Sequence, residues 1–231
     1  YNNPKSSEAL GLPYHYEMVS DTKRVTPFKK AIFATCKGKR VLESGAGSAI
    51  LSILAAKAGA KKVYAVEIDA EVARFAQENI RKSGYKDIIT LICGDVKKIR
   101  LHDIDNERVD VIIAENLSTW EVTEPQIQIL NNLNAHVLKK DGVRLPSILH
   151  NYLELTQTRY RFENVIDLRT HYFEFTGIRK ARSLSKKILF EKIDLSQYNS
   201  PDVNRKIRVK VSADGIINSV RLTSPLQVYK N

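Results

Sequence analysis

The chain has 231 residues, of which 43% are hydrophobic and 27% charged. That balance admits a sizeable buried core and excludes collagen, a coiled coil or a wholly disordered chain. The net charge of +11 divides into +5 over residues 1–40, −1 over residues 41–150 and +7 over residues 151–231, so both flanks are basic and suit nucleic acid or acidic protein as well as plain solvation.

In chain order, residues 1–13, with Asn2-Asn3-Pro4 and Ser6-Ser7, are expected to be loose. Residues 14–35 read as helical, interrupted near Pro27. From Gly38 to Pro146, short β-branched runs alternate with longer helical stretches, the pattern of a parallel α/β sheet. Strands are expected at residues 40–43, 63–67, 88–92 and 109–114. Helices are expected at residues 49–58, closed by Gly59, and 70–83, closed by Gly84. In the second of these Val72, Phe75, Ala76 and Ile80 recur at helical spacing. Residues 123–138 predict a further helix with a Thr123/Gln126 capping box and Pro125 in its first turn. Asp141-Gly142 then predicts a turn into a fifth strand that ends at Pro146. Beyond it, residues 153–156, 188–190 and 207–211 read as strands of a second, mainly antiparallel region, with Asp214-Gly215 as a hairpin signal.

Chemistry concentrates at the carboxyl ends of the expected strands. Glu43-Ser44-Gly45-Ala46-Gly47-Ser48 is a glycine turn between a strand and a helix, where an open parallel sheet receives a nucleotide-like ligand. The third glycine of a dinucleotide pattern is missing, its place taken by Ile50. Glu67 ends the second strand, 22 residues after Gly45, where an acid can accept both hydroxyls of a ribose. Cys93-Gly94-Asp95-Val96 follows the third strand and offers a carboxylate and a backbone amide to an adenine edge. A P-loop is absent, which argues against phosphoryl transfer. A nicotinamide oxidoreductase is the nearest competitor on such a sheet, disfavoured by Ile50 and by the Asp95 site.

This constellation resembles the class I S-adenosylmethionine-dependent methyltransferases, whose cofactor carries adenine and ribose but no phosphate. Two further segments are similar to the protein arginine N-methyltransferases. His15-Tyr16-Glu17-Met18-Val19-Ser20-Asp21-Thr22-Lys23-Arg24 matches a His-x-x-Met-x-x-Asp-x-x-Arg run that folds over the cofactor in that family. Glu115 and Glu124 have the nine-residue spacing of the family's paired glutamates after the fourth strand. The likeness covers residues 14–150. The family's aromatic segment before the His run is absent, as are its Thr-His-Trp loop and a segment long enough for its dimerising helical arm.

The resemblance implies a Rossmann-like methyltransferase sheet with helices on both faces and a small C-terminal antiparallel β domain. It implies a cofactor-lid segment at residues 1–37, an S-adenosylmethionine-binding domain at 38–146 and the β domain at 147–231. Met18, Arg24, Glu43, Gly45, Ala46, Gly47, Glu67, Ile68, Asp95, Val96 and Glu115 would hold S-adenosylmethionine or its product S-adenosylhomocysteine, with Arg24 on the methionine carboxylate and Met18 near the sulfonium. Glu115 and Glu124 would be catalytic, gripping the fork of an arginine in a protein acceptor. Methyl transfer to RNA or a small amine, or service as a non-catalytic cofactor-binding subunit, are the alternatives.

Other classes lack their residues. The Asn/Asp-Pro-Pro-aromatic motif of base-amino methyltransferases is replaced by Glu115-Asn116-Leu117-Ser118. Cys36 and Cys93 are not placed as nucleophiles and read as packed thiols in a reducing compartment. His102, His136, His150 and His171 lack metal-ligand spacing, and no metal is expected. No apolar run approaches the ~18 residues of a spanning helix. The N-terminus has neither a leader pattern nor an initiator Met, so a trimmed, cytoplasmic chain with no membrane association is expected. The oligomeric state is open.

Overall fold

A computed structural model describes residues 12–121, 124–172 and 180–229. The expected loose residues 1–11 and the capping Thr123 lie outside the described residues, while Leu12 and Pro13 already belong to the first helix. Helix α1 spans Leu12–Ser20 and α2 spans Thr22–Thr35. The break falls at Asp21 and not at Pro27. Asp21 is extended, and its carboxylate accepts from the backbone N–H groups of Lys23 and Arg24 at 3.0 and 3.3 Å, restarting the helix. Pro27 lies inside α2, where the carbonyl four residues back belongs to exposed Lys23 and water can replace the missing donor. Phe28, Ala31, Ile32 and Cys36 form the buried stripe of α2.

The following elements are β1 (Arg40–Ser44), α3 (Ile50–Lys57), β2 (Lys62–Glu67), α4 (Ala70–Ser83), β3 (Ile89–Cys93), β4 (Val109–Ala114), α5 (Gln126–His136) and β5 (Leu138–Leu145). The five strands form a parallel sheet in the order β3-β2-β1-β4-β5. Alternation divides its side chains between two cores. Val41, Val63, Ala65, Val111 and Ile113 pack against α2, α3 and α4. Leu42, Tyr64, Val66 and Ile112 pack with Ile127, Leu130 and Leu133 of α5 and with Ile99 and Ile104 from the turns before β4. The strand order reverses between β1 and β4, which opens a crevice at their carboxyl ends.

Several local readings are corrected. Phe75 is 39% exposed; Val72, Ala73, Ala76 and Ile80 form the buried face of α4. The helix expected from residue 123 starts at Gln126 behind Pro125, whose ring offers no capping acceptor, and the Gln126 side chain turns inward. It also stops at His136, and β5 begins at Leu138. Asp141-Gly142 is therefore not a turn before the strand but part of a bulge within it, between the pairs Val109–Leu138 and Val111–Val143. A Cβ at Gly142 would overlap the Leu138 side chain.

After the parallel sheet come β6 (Ile148–Gln157), a short hairpin of β7 (Arg161–Phe162) and β8 (Ile166–Asp167), β9 (Arg182–Ser183), β10 (Ile188–Asp194), β11 (Ser219–Thr223) and β12 (Leu226–Gln227). Strand β6 is the axis of a second, antiparallel sheet, flanked by β9 and β10 on one edge and by β11 and β12 on the other. Both edges of β6 are thus taken. Residues 207–211 do not form the expected strand, having only a single bridge from Val211 to Ser185, and Asp214-Gly215 closes no hairpin because β11 pairs with β6. Leu149, Ile193 and Leu195 of this region pack into the α5 core, so the two sheets share buried surface.

Candidate active site

The turn between β1 and α3 is held by backbone geometry that few side chains tolerate. Gly45 and Gly47 have φ of 65° and 53°, and Ala49 follows at 64°. A Cβ at Gly45 would run into the side-chain amide of Asn116. The Ala46 N–H donates to the carbonyl of Val66 at 2.9 Å, and the Asn79 amide of α4 donates to the carbonyl of Ser48 at 3.0 Å. The turn is therefore fastened to β2 and α4.

Glu67 is 7% exposed and accepts from the N–H of Gly47 at 2.8 Å and of Asp69 at 3.0 Å. Its carboxylate thus spans from the glycine turn to the start of α4. Glu43 is 2% exposed and accepts from both the N–H and the hydroxyl of Ser52 in α3. Burial pushes its pKa up to about 8; the Ser52 bonds oppose the shift, and the charges of Glu67 and Glu115 add to it. Burial thus favours the protonated form of Glu43.

Met18, Arg24, Glu43, Gly45, Ala46, Gly47 and Glu115 meet around one crevice, together with Phe28, Ile50 and Leu51. With α1 and α2 folded over it, its free volume is about 60 Å³. Arg24 crosses the crevice to form an ion pair with Glu115, the two side chains being 26% and 12% exposed. Burial pushes the pKa of Glu115 up to about 7, opposed by Arg24 and reinforced by Glu124. Glu124 is likewise raised by burial and opposed by Arg24. The guanidinium of Arg24 thus pairs with Glu115 and is felt electrostatically at Glu124.

The remaining predicted residues lie further along the same sheet edge, outside that crevice. Asp95 follows β3, and its carboxylate accepts from the N–H of Lys97 at 3.0 Å, while the Gly94 N–H donates to the Glu67 carbonyl at 2.8 Å. Val96 turns its side chain into the core and its carbonyl accepts from the N–H of Ile99 at 3.3 Å, while Ile68 is 61% exposed at the rim. Cys36 is buried, with its thiol pushed up to about 11 by burial; Cys93 is exposed, contrary to expectation, because β3 is an edge strand.

Sequence reading missed the residues that fasten the loop after β4. The Ser44 hydroxyl donates to Asn116, tying the end of β1 to that loop. The N–H of Glu124 donates to the Ser118 hydroxyl at 3.2 Å. Trp120, the single tryptophan, has φ of 59°, donates from its indole to the Tyr152 carbonyl at 3.0 Å and stacks on Phe190 at 4.6 Å. Its backbone N–H donates to the hydroxyl of Ser224 at 2.8 Å. A tryptophan in an otherwise polar loop was the signal that this loop docks on another layer.

The donor set suits an adenosyl sulfonium. The carboxylates of Glu67 and Glu115 would repel a pyrophosphate, whereas ribose hydroxyls and a cationic sulfur meet them favourably.

Residues 31–167 match the family model of ribosomal protein L11 methyltransferase (PrmA). An uncharacterized protein of Methanocaldococcus jannaschii is 30% identical over 200 residues, covering 86% of this chain and 71% of that protein. Protein arginine N-methyltransferase 1 of Oryza sativa subsp. indica is 32% identical over 180 residues, covering 77% of this chain and 44% of the relative. Among solved structures, the Trypanosoma brucei PRMT1 enzyme-prozyme heterotetrameric complex with AdoHcy superposes with a TM-score of 0.68 at 25% identity, covering 84% of this chain and 65% of that one. Protein arginine methyltransferase 10 of Arabidopsis thaliana superposes with a TM-score of 0.59 at 32% identity, covering 65% and 43%. The chain spans less than half the length of the curated arginine methyltransferases it matches.

Proposed function

The chain belongs to the class I S-adenosylmethionine-dependent methyltransferases, and from this we propose that it N-methylates arginine in a protein acceptor. The observation that supports the acceptor is the ion pair of the Arg24 guanidinium with Glu115, with Glu124 near enough for the same cation to oppose the rise in its pKa. A site that accepts an internal arginine head on Glu115, with a second carboxyl at Glu124 nearby, has the charge for an arginine from another chain.

In this reading Glu67 accepts the ribose hydroxyls, and Asp95, the Val96 amide and Ile68 border the adenine. The backbone of Gly45, Ala46 and Gly47 lets the cofactor approach closely, with the buried Glu43 carboxyl beneath it. Arg24 serves the methionine carboxylate, and Met18 covers the sulfonium. When bound, the cofactor supplies an activated methyl group on a cationic sulfur.

The residues of the chain supply position and charge. A guanidinium stays protonated near neutral pH, so the acceptor arrives as a cation and two carboxylates are the matching partners. Glu115 and Glu124 orient its planar fork, aim one nitrogen at the methyl group and stabilise the added positive charge as the N–C bond forms and the S–C bond breaks. The nitrogen then sheds a proton, for which the Glu115 carboxylate, its proton affinity raised by burial, is the proposed acceptor.

The test is transfer of labelled methyl from S-adenosylmethionine to an arginine-rich peptide and, in parallel, to total RNA, with Glu115→Gln beside wild type. Label on peptide arginine that is lost in the variant supports the reading. Label on RNA alone, or none on either with cofactor bound, overturns it.

A further inference from the structure

Gln126 opens α5 but has no exposed surface. Both ends of its amide are engaged: the oxygen accepts from the N–H of Asn116 at 3.1 Å, and the nitrogen donates to the carbonyl of Ala114 at 2.8 Å. Those two backbone groups belong to the residues on either side of Glu115. In an extended chain they point the same way, so one primary amide offers the donor and acceptor that a neighbouring strand would offer. The ladder of β4 is thereby carried one residue past its end at Ala114, onto Glu115 itself. Gln126 also stands two residues beyond Glu124, with only Pro125 between them.

We infer that Gln126 is a positioning residue, whose side-chain amide fixes the backbone of Glu115 and sets its spacing from Glu124. This rests on the acceptor role proposed for those glutamates. Without the amide, Glu115 is tethered on one side only, and the loop to Glu124 can open by the small displacement that geometry-dependent transfer does not tolerate. Glutamate would reproduce the arrangement only while protonated; once ionised it places an acceptor against the Ala114 carbonyl.

The experiment compares wild type, Gln126→Met, Gln126→Glu and Glu115→Gln in labelled-methyl transfer to the arginine-rich peptide across pH. It adds the thermal shift with S-adenosylhomocysteine and amide hydrogen exchange at Asn116. Gln126→Met is expected to lose about 10- to 100-fold in kcat, as for a misplaced catalytic group. The peptide KM and product affinity should stay within about threefold, the mark of an interaction that matters in the transition state. The kcat of Gln126→Glu relative to wild type should approach one at low pH and fall as pH rises.

A kcat for Gln126→Met within about twofold of wild type, a loss of product binding in step with kcat, or a flat pH ratio for Gln126→Glu would overturn the inference. If Gln126→Met does not fold, the pH ratio of Gln126→Glu decides. Exchange at Asn116 tests the clamp without catalysis: it should quicken by about tenfold or more in Gln126→Met, and no change would overturn the inference. If Glu115→Gln turns over normally while that exchange quickens, the acceptor role of Glu115 has failed and the clamp has not.

Discussion

Arg24, in the first turn of α2, donates to the carboxylate of Glu115 at the end of β4, 91 residues away in sequence. The same cation opposes the rise that burial imposes on the Glu124 pKa. One cation thus ties the helix over the crevice to the loop proposed to grip the acceptor.

Glu115→Gln keeps the shape of that loop and removes its charge. It should bind S-adenosylhomocysteine within several-fold of wild type while losing roughly 10²- to 10³-fold in kcat, the scale of deleting one preorganised charged group. Thermal shift and labelled transfer read the two quantities separately. Equal loss of both would make Glu115 structural.

Glu67→Ala strips the N–H groups of Gly47 and Asp69 of their acceptor and removes the proposed ribose contact. The thermal shift caused by S-adenosylhomocysteine should vanish, and the unliganded protein should lose about 1–3 kcal/mol, the cost of unsatisfied buried donors. An undiminished shift would remove Glu67 from the cofactor site.

Two carboxyls have folded pKa values raised by burial, Glu43 to about 8 and Glu115 to about 7, from an ordinary 4.5. Between those values the folded state holds protons that the unfolded state has released. The favourable contribution is complete below the ordinary value and is lost as pH rises through the folded one. Urea denaturation should therefore show stability falling from about pH 5 to about pH 8, and Glu43→Gln should flatten the upper part of that fall. If Glu115 holds the cationic acceptor as proposed, turnover should run the other way near pH 7, because the ionised carboxylate is the form that binds a cation.

Trp120→Phe preserves an aromatic ring against Phe190 but leaves the Tyr152 carbonyl without its indole donor. A loss of about 1–3 kcal/mol is expected in denaturant titration. Peptide turnover should fall while cofactor affinity holds, since the loop after β4 is what loosens.

The sheet was legible because hydrophobic period and turn residues agreed: α4 and β4 fall on their expected bounds, residues 70–83 and 109–114. Errors arose where tertiary partners decide. Residues 207–211 alternate like a strand, but both edges of β6 are already paired. Asp141-Gly142 has turn chemistry and serves as a bulge. Glycines, Glu67 and Glu115 could be picked out because strand ends are local features. Gln126 could not: its spacing from Thr123 imitates a capping box, while its actual partners lie ten and twelve residues back.

The pairing of Arg24 with Glu115 also governs what an idle molecule exposes. With the crevice closed, the carboxylate proposed to receive a guanidinium is already paired with one, so stray arginines and polyamines find little to attract them. An incoming cofactor brings a carboxylate that can receive the Arg24 cation; an incoming acceptor brings only a second positive charge. Loading should therefore be sequential, the cofactor entering first and its spent form leaving last, with S-adenosylhomocysteine competing against S-adenosylmethionine but not against the peptide.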